Sequence, residues 1–468
     1  MGILKKLVGV LVSLVLVTAI PAWAGHDYTV RVNLPNGKDD TANIQAALDA
    51  CVVRGKGCTV QLAAGKYLTR QLVTYNFRGT FKGMGKDRTT IEALPNLLVN
   101  AFNPDNTIWW SPNTTDHTWP DLIMFLDGDI TVSDMIIKVT SIPATEPYYM
   151  FGGMEFRVLL GGIRIMGKYR TKASIERVAI EGTRDEASVF GFNLINGVLW
   201  VADLPKSLTF HDAYPLSGSL TVSSSSFKNV AYGAAINSGG AIAKDSHFTI
   251  GGSPSTGNVF EDVGYGIDLE SIENSVVEAS YNIAEGQYAA LDVCPWETMP
   301  TKPSLFLIHH NTFRPTGPYA DGIWLLDDLP NKWVYAVIYN NTIEAQDIGY
   351  GGISAHSTKG TTIVNNKISG NGADAIGIWG GTYATVLGND VTDFTASPDL
   401  AQIVLDGTTT HSTVVCENSN DTVLDQGTMN KVIGCQQPAA AAEASSLSAA
   451  PTTSVARPNL PRRKPRLP

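Results

Sequence analysis

Between residues 258 and 436 the chain alternates apolar and polar positions in runs of four to six residues, each bounded by Gly, Asn or Asp. Period two is the signature of a strand, and no stretch between the runs carries a helical stripe. Two phrases return together. The first is an asparagine, at Asn282, Asn311, Asn341, Asn366 and Asn389, spaced 29, 30, 25 and 23 residues apart. An apolar residue follows two places on in Phe313, Ile343, Ile368 and Val391. The second phrase is GIDLE at 266–270, ALDVC at 290–294, GIWLL at 322–326, GISAH at 352–356, AIGIW at 375–379 and QIVLD at 402–406. One such unit is too small to bury its own apolar face, so the units must stack into a solenoid with a continuous core. Asparagine recurring at one turn position predicts a ladder of side-chain amides running up the stack.

At the start of the body the period is different. Ile44, Ala47, Leu48 and Cys51 fall at i, i+3, i+4 and i+7 behind Asp39-Asp40-Thr41, whose side chains suit a helix N-terminus. A short amphipathic helix here would plug the open end of the core, and CTVQLAAGKYLT continues as strand, Gly turn and strand. The stretch DDTANIQAALDAC followed by GCTVQLAAGKYL resembles the N-terminal cap and first coil of the pectate-lyase-like superfamily. The resemblance covers about residues 28–435 and implies an all-β fold: a single right-handed parallel β-helix with an N-terminal capping helix. It also implies a secreted protein acting on polysaccharides. It does not imply one reaction, because this scaffold carries lyases, hydrolases, epimerases and binding proteins.

The ends differ from the body. Residues 1–24 combine Lys5 and Lys6, an apolar run from Leu7 to Ile20, and Ala22-Trp23-Ala24, the pattern of a secretory signal peptide; the run is too short to span a membrane. Residues 436–468 are rich in Ala, Ser, Thr and Pro, end in PRRKPRLP, and read as a disordered tail. The β-helix domain is thus expected over 25–435, in an exported protein found outside the cell, in the periplasm or at the cell surface. Against a total of −10, Lys5 and Lys6 contribute +2 and the tail +4, which leaves the body at −16. That balance argues against nucleic acid as a partner, since phosphate binding needs clustered Lys and Arg. Five cysteines permit two bridges; Cys51 with Cys58 and Cys416 with Cys435 are the sequence neighbours, leaving Cys294 over.

Alternation within the second phrase sends Ile267/Leu269, Leu291/Val293, Ile323/Leu325, Ile353/Ala355 and Ile376/Ile378 into the core. Two columns then face outward, to solvent. One reads Asp268, Asp292, Trp324, Ser354, Gly377, and the other Glu270, Cys294, Leu326, His356, Trp379. An ordinary solvated face would mix Lys, Thr, Ser and Glu. Here carboxylates cluster on two coils, and tryptophans with a histidine stand on the next three. This wall is the candidate site for a polysaccharide or other glycan. In a glycoside hydrolase, Glu270 and Asp292 would share the acid and base roles across adjacent strands. Asp268 and His356 would tune or position them, Trp324 and Trp379 would form a stacking floor, and Asp327 and Asp328 would extend the substrate-binding cluster. Asp327-Asp328 and His356 echo two motifs of the polygalacturonase-type hydrolases, but that family's Asn-Thr-Asp and Arg-Ile-Lys motifs are missing. A Ca²⁺-dependent lyase is the competing enzyme: Asp268, Glu270 and Asp292 offer oxygens to a hard cation. Its base would have to be Arg164 or Lys168, several coils away. A third reading has no reaction at all, with Trp109, Trp110, Trp119, Tyr148, Tyr149 and Phe151 in loops that stack sugars. No zinc spacing, phosphate loop or Gly-x-Ser-x-Gly elbow is present.

Overall fold

The computed structural model describes residues 28–94, 121–140, 148–151, 154–157, 160–167, 170–184, 191–202, 217–236, 242–295, 300–327, 333–346 and 349–437. The expected signal peptide and all of the tail beyond 437, Trp109, Trp110, Trp119, Lys168 and Asp328 lie outside these residues. Each coil of chain contributes short strands that pair with their counterparts one coil on. Among the described strands all pairings are parallel except the ribbon of Tyr148–Phe151 with Met154–Arg157. The result is a parallel β-helix with three sheets.

The first sheet runs through Leu160–Gly167, Leu194–Ala202, Val230–Ile236, the second halves of Val259–Glu270 and Ile283–Cys294, then Asp321–Leu326, Ile353–His356 and Ile376–Trp379. The second sheet extends from Tyr28–Arg31 to Lys431–Ile433 and includes His247–Gly251, Val276–Ser280, Ser304–His309 and Val334–Tyr339. The third includes Ser226–Lys228, Thr312–Pro315, Thr342–Ala345 and Lys367–Gly372. Alternation puts one side of every strand inside, where Ile323, Ile353 and Ile376 stack as one fully buried file and the Phe227 and Phe260 rings stack at 4.8 Å.

The expected amide ladder is present and is one rung longer than the run from Asn282 to Asn389. Asn258, Asn282, Asn311, Asn341, Asn366 and Asn389 are all buried. The Oδ1 of Asn341 accepts the backbone N–H of Asn311 at 3.0 Å and its Nδ2 at 2.9 Å. The Nδ2 of Asn341 donates to Asn366 Oδ1 and to Ile308 O, both at 2.9 Å. From Asn282 onward the residue before the buried asparagine takes a left-handed turn, with φ of 58° at Tyr281, 54° at His310, 54° at Asn340, 54° at Asn365 and 60° at Gly388. The doubled asparagines of YNNT and VNNK therefore do two jobs: the first turns the chain and the second bonds the coils.

The capping helix spans Thr41–Arg54 and buries Ile44, Ala47, Leu48 and Cys51, as its period predicts. Burying Ile44 and Leu48 contributes about 1.5–3 kcal/mol each. The two aspartates divide the work differently from simple capping. Asp39 Oδ1 accepts the N–H of Thr41 at 3.0 Å, while Asp40 turns away to take the N–H of Asn36 at 2.9 Å and of Leu68 at 3.3 Å. Cys51–Cys58 and Cys416–Cys435 are both bridged, and Cys294 is buried outside either bridge. Among the described residues no helix is long and apolar enough to cross a membrane.

Candidate functional site

The outer face of the first sheet carries the two columns in the register that alternation predicts. Asp268 pairs with Asp292, Asp292 with Trp324, Trp324 with Ser354, and Ser354 with Gly377. Glu270 pairs with Cys294, and Leu326, His356 and Trp379 follow on successive coils. Their strand neighbours Ile267, Leu269, Leu291 and Val293 lie fully buried in the core, so the acids do point away from it.

Their exposure corrects the expectation of a solvent-facing wall. Asp268 is 2% exposed, Glu270 1% and Asp292 0%. Alternation fixes the direction of a side chain but not what lies over it. Upstream, the same outer face is a second apolar cluster of Met166, Leu199, Val201, Ala235, Tyr232 and Tyr265, with the two tyrosine rings stacked at 5.0 Å. The wall thus has three zones along the coil axis: an apolar pad, three buried carboxyls on two adjacent strands, and a ring ladder. In the ladder His356 stands 6.3 Å from Trp324, edge to face, and 6.2 Å from Trp379, nearly parallel at 14°. All three rings are half-buried.

The remaining residues of the wall have specific places. Cys294 Sγ donates toward Glu270 Oε1 at 3.8 Å, so the odd thiol is a neighbour of the acid pair. Asp327 is fully buried; its Oδ2 accepts the N–H of Val334 at 3.1 Å, and its own N–H donates to His356 O at 2.9 Å. It ties the ends of the turn that follows Trp324 to the next coil.

Two acids at the heart of the wall escape the two-column reading. Asp321 and Asp374 precede the core isoleucines Ile323 and Ile376 by two positions, and Gly351 holds the same place on the coil between them. Asp321 Oδ1 accepts the N–H of Gly351 at 3.0 Å and the Ser354 hydroxyl at 2.5 Å. A Cβ on Gly351 would come within 2.6 Å of both Ser354 Oγ and Asp374 Oδ1. Glycine there leaves room for Ser354 and for the Asp374 carboxyl of the next coil. The sequence signal is the phrase A-D-G-I at 320–323 and A-D-A-I at 373–376, set against G-G-I at 351–353.

Arg164, the sequence's candidate for a lyase base, stands in the first column, but Leu199 and Ala235 separate it from Asp268. It is buried and forms an ion pair with the fully buried Asp121. Burial pushes the Asp121 carboxyl upward, against the pull of the Arg164 guanidinium. Gly161 has no room for a side chain, since a Cβ would meet Asp121 Oδ1 at 1.6 Å. Among the described residues no three His, Cys, Asp or Glu side chains are arranged to hold a metal ion.

Residues 301–450 match a family described as the right handed beta helix region. This chain is a right-handed parallel β-helix protein. Solved structures share the fold at low identity. DFA-IIIase from Arthrobacter chlorophenolicus A6, solved without its lid in complex with GF2, is 12% identical with a TM-score of 0.54, over 87% of this chain and 99% of that one. The Dettilon tailspike protein is 10% identical with a TM-score of 0.50, over 86% of this chain and 68% of that one. The A-module of an Azotobacter vinelandii mannuronan C-5 epimerase is 14% identical with a TM-score of 0.44, over 87% and 95%. No curated protein matches the sequence.

Proposed function

We propose that the outer wall of the first sheet is a glycan site and that the protein is an exported glycoside hydrolase. The observation that carries this reading is the adjacency of three buried carboxyls, Asp268, Glu270 and Asp292, to the Trp324–His356–Trp379 ring ladder on the next coils. Aromatic faces with a wet edge stack on the apolar faces of sugar rings. Carboxyls gathered on adjacent strands of one wall suit glycosidic hydrolysis, which needs one such group as acid and another as base or nucleophile. Glu270 and Asp292 would supply acid and base, Asp268 and His356 would position them, and Trp324 and Trp379 would hold the sugar, with Asp327 at the edge of the cluster. The same fold serves DFA-IIIase, whose solved complex contains GF2; the fold alone does not name the chemistry.

A calcium-dependent lyase is supported less well, because the candidate base Arg164 is held by Asp121 in a buried ion pair. The test is mass spectrometry of neutral and acidic polysaccharides after incubation with the purified chain, with and without Ca²⁺. Fragments carrying an added water are expected, and Glu270→Gln and Asp292→Asn should each lower turnover by about 100-fold or more with the fold intact. Unsaturated fragments would replace the hydrolase with a lyase. Full activity in both variants would remove these two acids from the reaction, and binding without cleavage would leave only the ring ladder's role.

A further inference from the structure

The three outer faces of the solenoid are built differently. The third sheet is laced with ion pairs, Arg314 lying 2.8 Å from Glu344 and 3.8 Å from Glu285, and Lys228 bonding to Glu261. The second sheet starts in the same style, with Lys82, Ser133, Glu176 and Ser223 facing outward on consecutive strands. From Val276–Ser280 onward it changes. One outward column reads Val276, Leu305 and Tyr335 and continues, in the same register, through Gly360, Tyr383, His411 and Met429. Its large apolar side chains are between 36% and 77% exposed. Another column four residues along carries Tyr339, Leu387 at 43% and Ile433 at 40%. Large apolar side chains exposed on successive strands of one face mark an interaction surface.

The middle column says what kind of partner fits. It reads Glu278, Leu307, Val337, Thr362, Thr385, Thr413, Lys431, seven rungs with one acid at one end, one base at the other, and no charge between. We infer that this face pairs with the same face of a second copy, related by a two-fold axis that runs along the strands through Thr362. Such an axis lies in the interface, keeps strand direction and reverses the coil axis. Each column therefore meets itself, upside down. Glu278 then faces Lys431 of the other copy at both ends. Val337 faces Thr385 beside the axis, and Tyr335 and Tyr383 meet in the neighbouring column. A parallel arrangement of the coil axes has no such charge match. Isologous contact of this kind is the commonest route to soluble oligomers.

The area is sufficient. Seven strands spaced about 4.8 Å apart and five residues of about 3.3 Å each give roughly 500–600 Å² per copy. Two copies together reach the roughly 1,000 Å² that a specific interface needs. Glu278 is held for the role, its Oε1 accepting the Ser280 hydroxyl at 2.9 Å and lying 3.4 Å from His309 Nε2.

Sedimentation of the full chain at tens of micromolar tests the inference. A dimer is expected. Leu387→Asp should abolish it, and Lys431→Glu, which sets two acids against each other at both ends, should weaken it by about tenfold or more. Adding Glu278→Lys to Lys431→Glu should restore it, a rescue that a general surface effect would not give. A monomeric full chain overturns the inference, and so does a dimer indifferent to Leu387→Asp and to the charge swap. Dimerisation only after removal of residues 438–468 also overturns it, by making the chain's own tail the occupant. None of these substitutions touches the wall of the first sheet, so failure here is separate from failure of the hydrolase reading.

Discussion

Replacing Asn341 with alanine removes four hydrogen bonds at once: two that its Nδ2 donates, to Ile308 O and Asn366 Oδ1, and two that its Oδ1 accepts from Asn311. The site is 1% exposed, so water does not replace them. At about 1 kcal/mol net for each bond the loss is about 4 kcal/mol. Counted instead by what is stranded, the Asn311 N–H and the Ile308 carbonyl at about 1–3 kcal/mol each, it is roughly 2–6 kcal/mol. The two routes agree near 4 kcal/mol, a large share of a domain's net stability. The residue before it provides the control. Asn340 is exposed and left-handed, with φ of 54°. Asn340→Ala should cost about 1–2 kcal/mol of backbone strain, and Asn340→Gly close to nothing. Because a solenoid transmits stability mainly between neighbouring coils, the assay should be local. Hydrogen exchange followed by mass spectrometry should show Asn341→Ala opening the strands Ser304–His309 and Thr312–Pro315 while leaving the helix Thr41–Arg54 protected. Equal losses from Asn340→Ala and Asn341→Ala, or unchanged exchange at those strands, would refute the assignment of coil stability to the ladder.

Two further changes probe the wall and the last coil. A Cβ on Gly377 would sit 2.2 Å from Trp379 Nε1 and 2.8 Å from Asp374 Oδ1. Gly377→Ala should therefore displace the indole and lower affinity for glycan fragments about tenfold, with the circular dichroism unchanged; unaltered binding would separate Trp379 from the site. Asp421 is buried, and burial, then the charges of Asp390 and Glu417, push its carboxyl above the ordinary carboxylate range despite the Asn418 N–H it accepts. The folded state then holds its proton more tightly, so stability falls as pH rises from the unfolded value of about 3.9 through the folded one. Asp421→Asn keeps an acceptor for Asn418 without the charge, so it should be more stable than the parent at pH 7, with the difference vanishing below about pH 4; a less stable variant at pH 7 would show the carboxylate to be well satisfied.

The fold was legible because two independent phases, the asparagines and the alternating isoleucines, recur with one register. Aligning them put Ile323 beside Ile353 and Asp268 beside Asp292, and the strands pair that way. Asn258 carries the same signal, with Phe260 two places on and Asn282 24 residues later, so the ladder's extra rung was legible as well. The capping helix was legible from its period, but not that Asp40 would serve the chain at Asn36 and Leu68. Burial of Asp268, Glu270 and Asp292 was not legible, because alternation reports direction and not cover. Asp321 and Asp374 were missed because they sit where strand alternation begins, two places before the first core isoleucine. The apolar face of the second sheet was hidden by its own composition. In VYAVIY at 334–339 both faces are apolar, and a run without alternation does not tell an inner face from an outer one.

One coil shows why these features need not interfere. Residues 333–356 place Tyr335 and Val337 on the second sheet, Glu344 in the ion-pair lattice of the third, and His356 in the ring ladder of the first. Three outward side-chain sets leave a single turn of chain in three directions, and what joins them is a core that every coil fills in the same way. Rigid packing of that core, with Ile338, Ile343, Ile353 and Ala355 all fully buried, fixes the position of each outward residue without requiring the faces to touch. A substitution that changes only an outward residue therefore acts on the face it stands on, whereas one that changes Asn341 or a core isoleucine acts on all three. That asymmetry gives a criterion for reading any variant of this protein. Loss of the proposed glycan turnover together with the proposed dimerisation would point to the coil itself, and loss of either alone to a face.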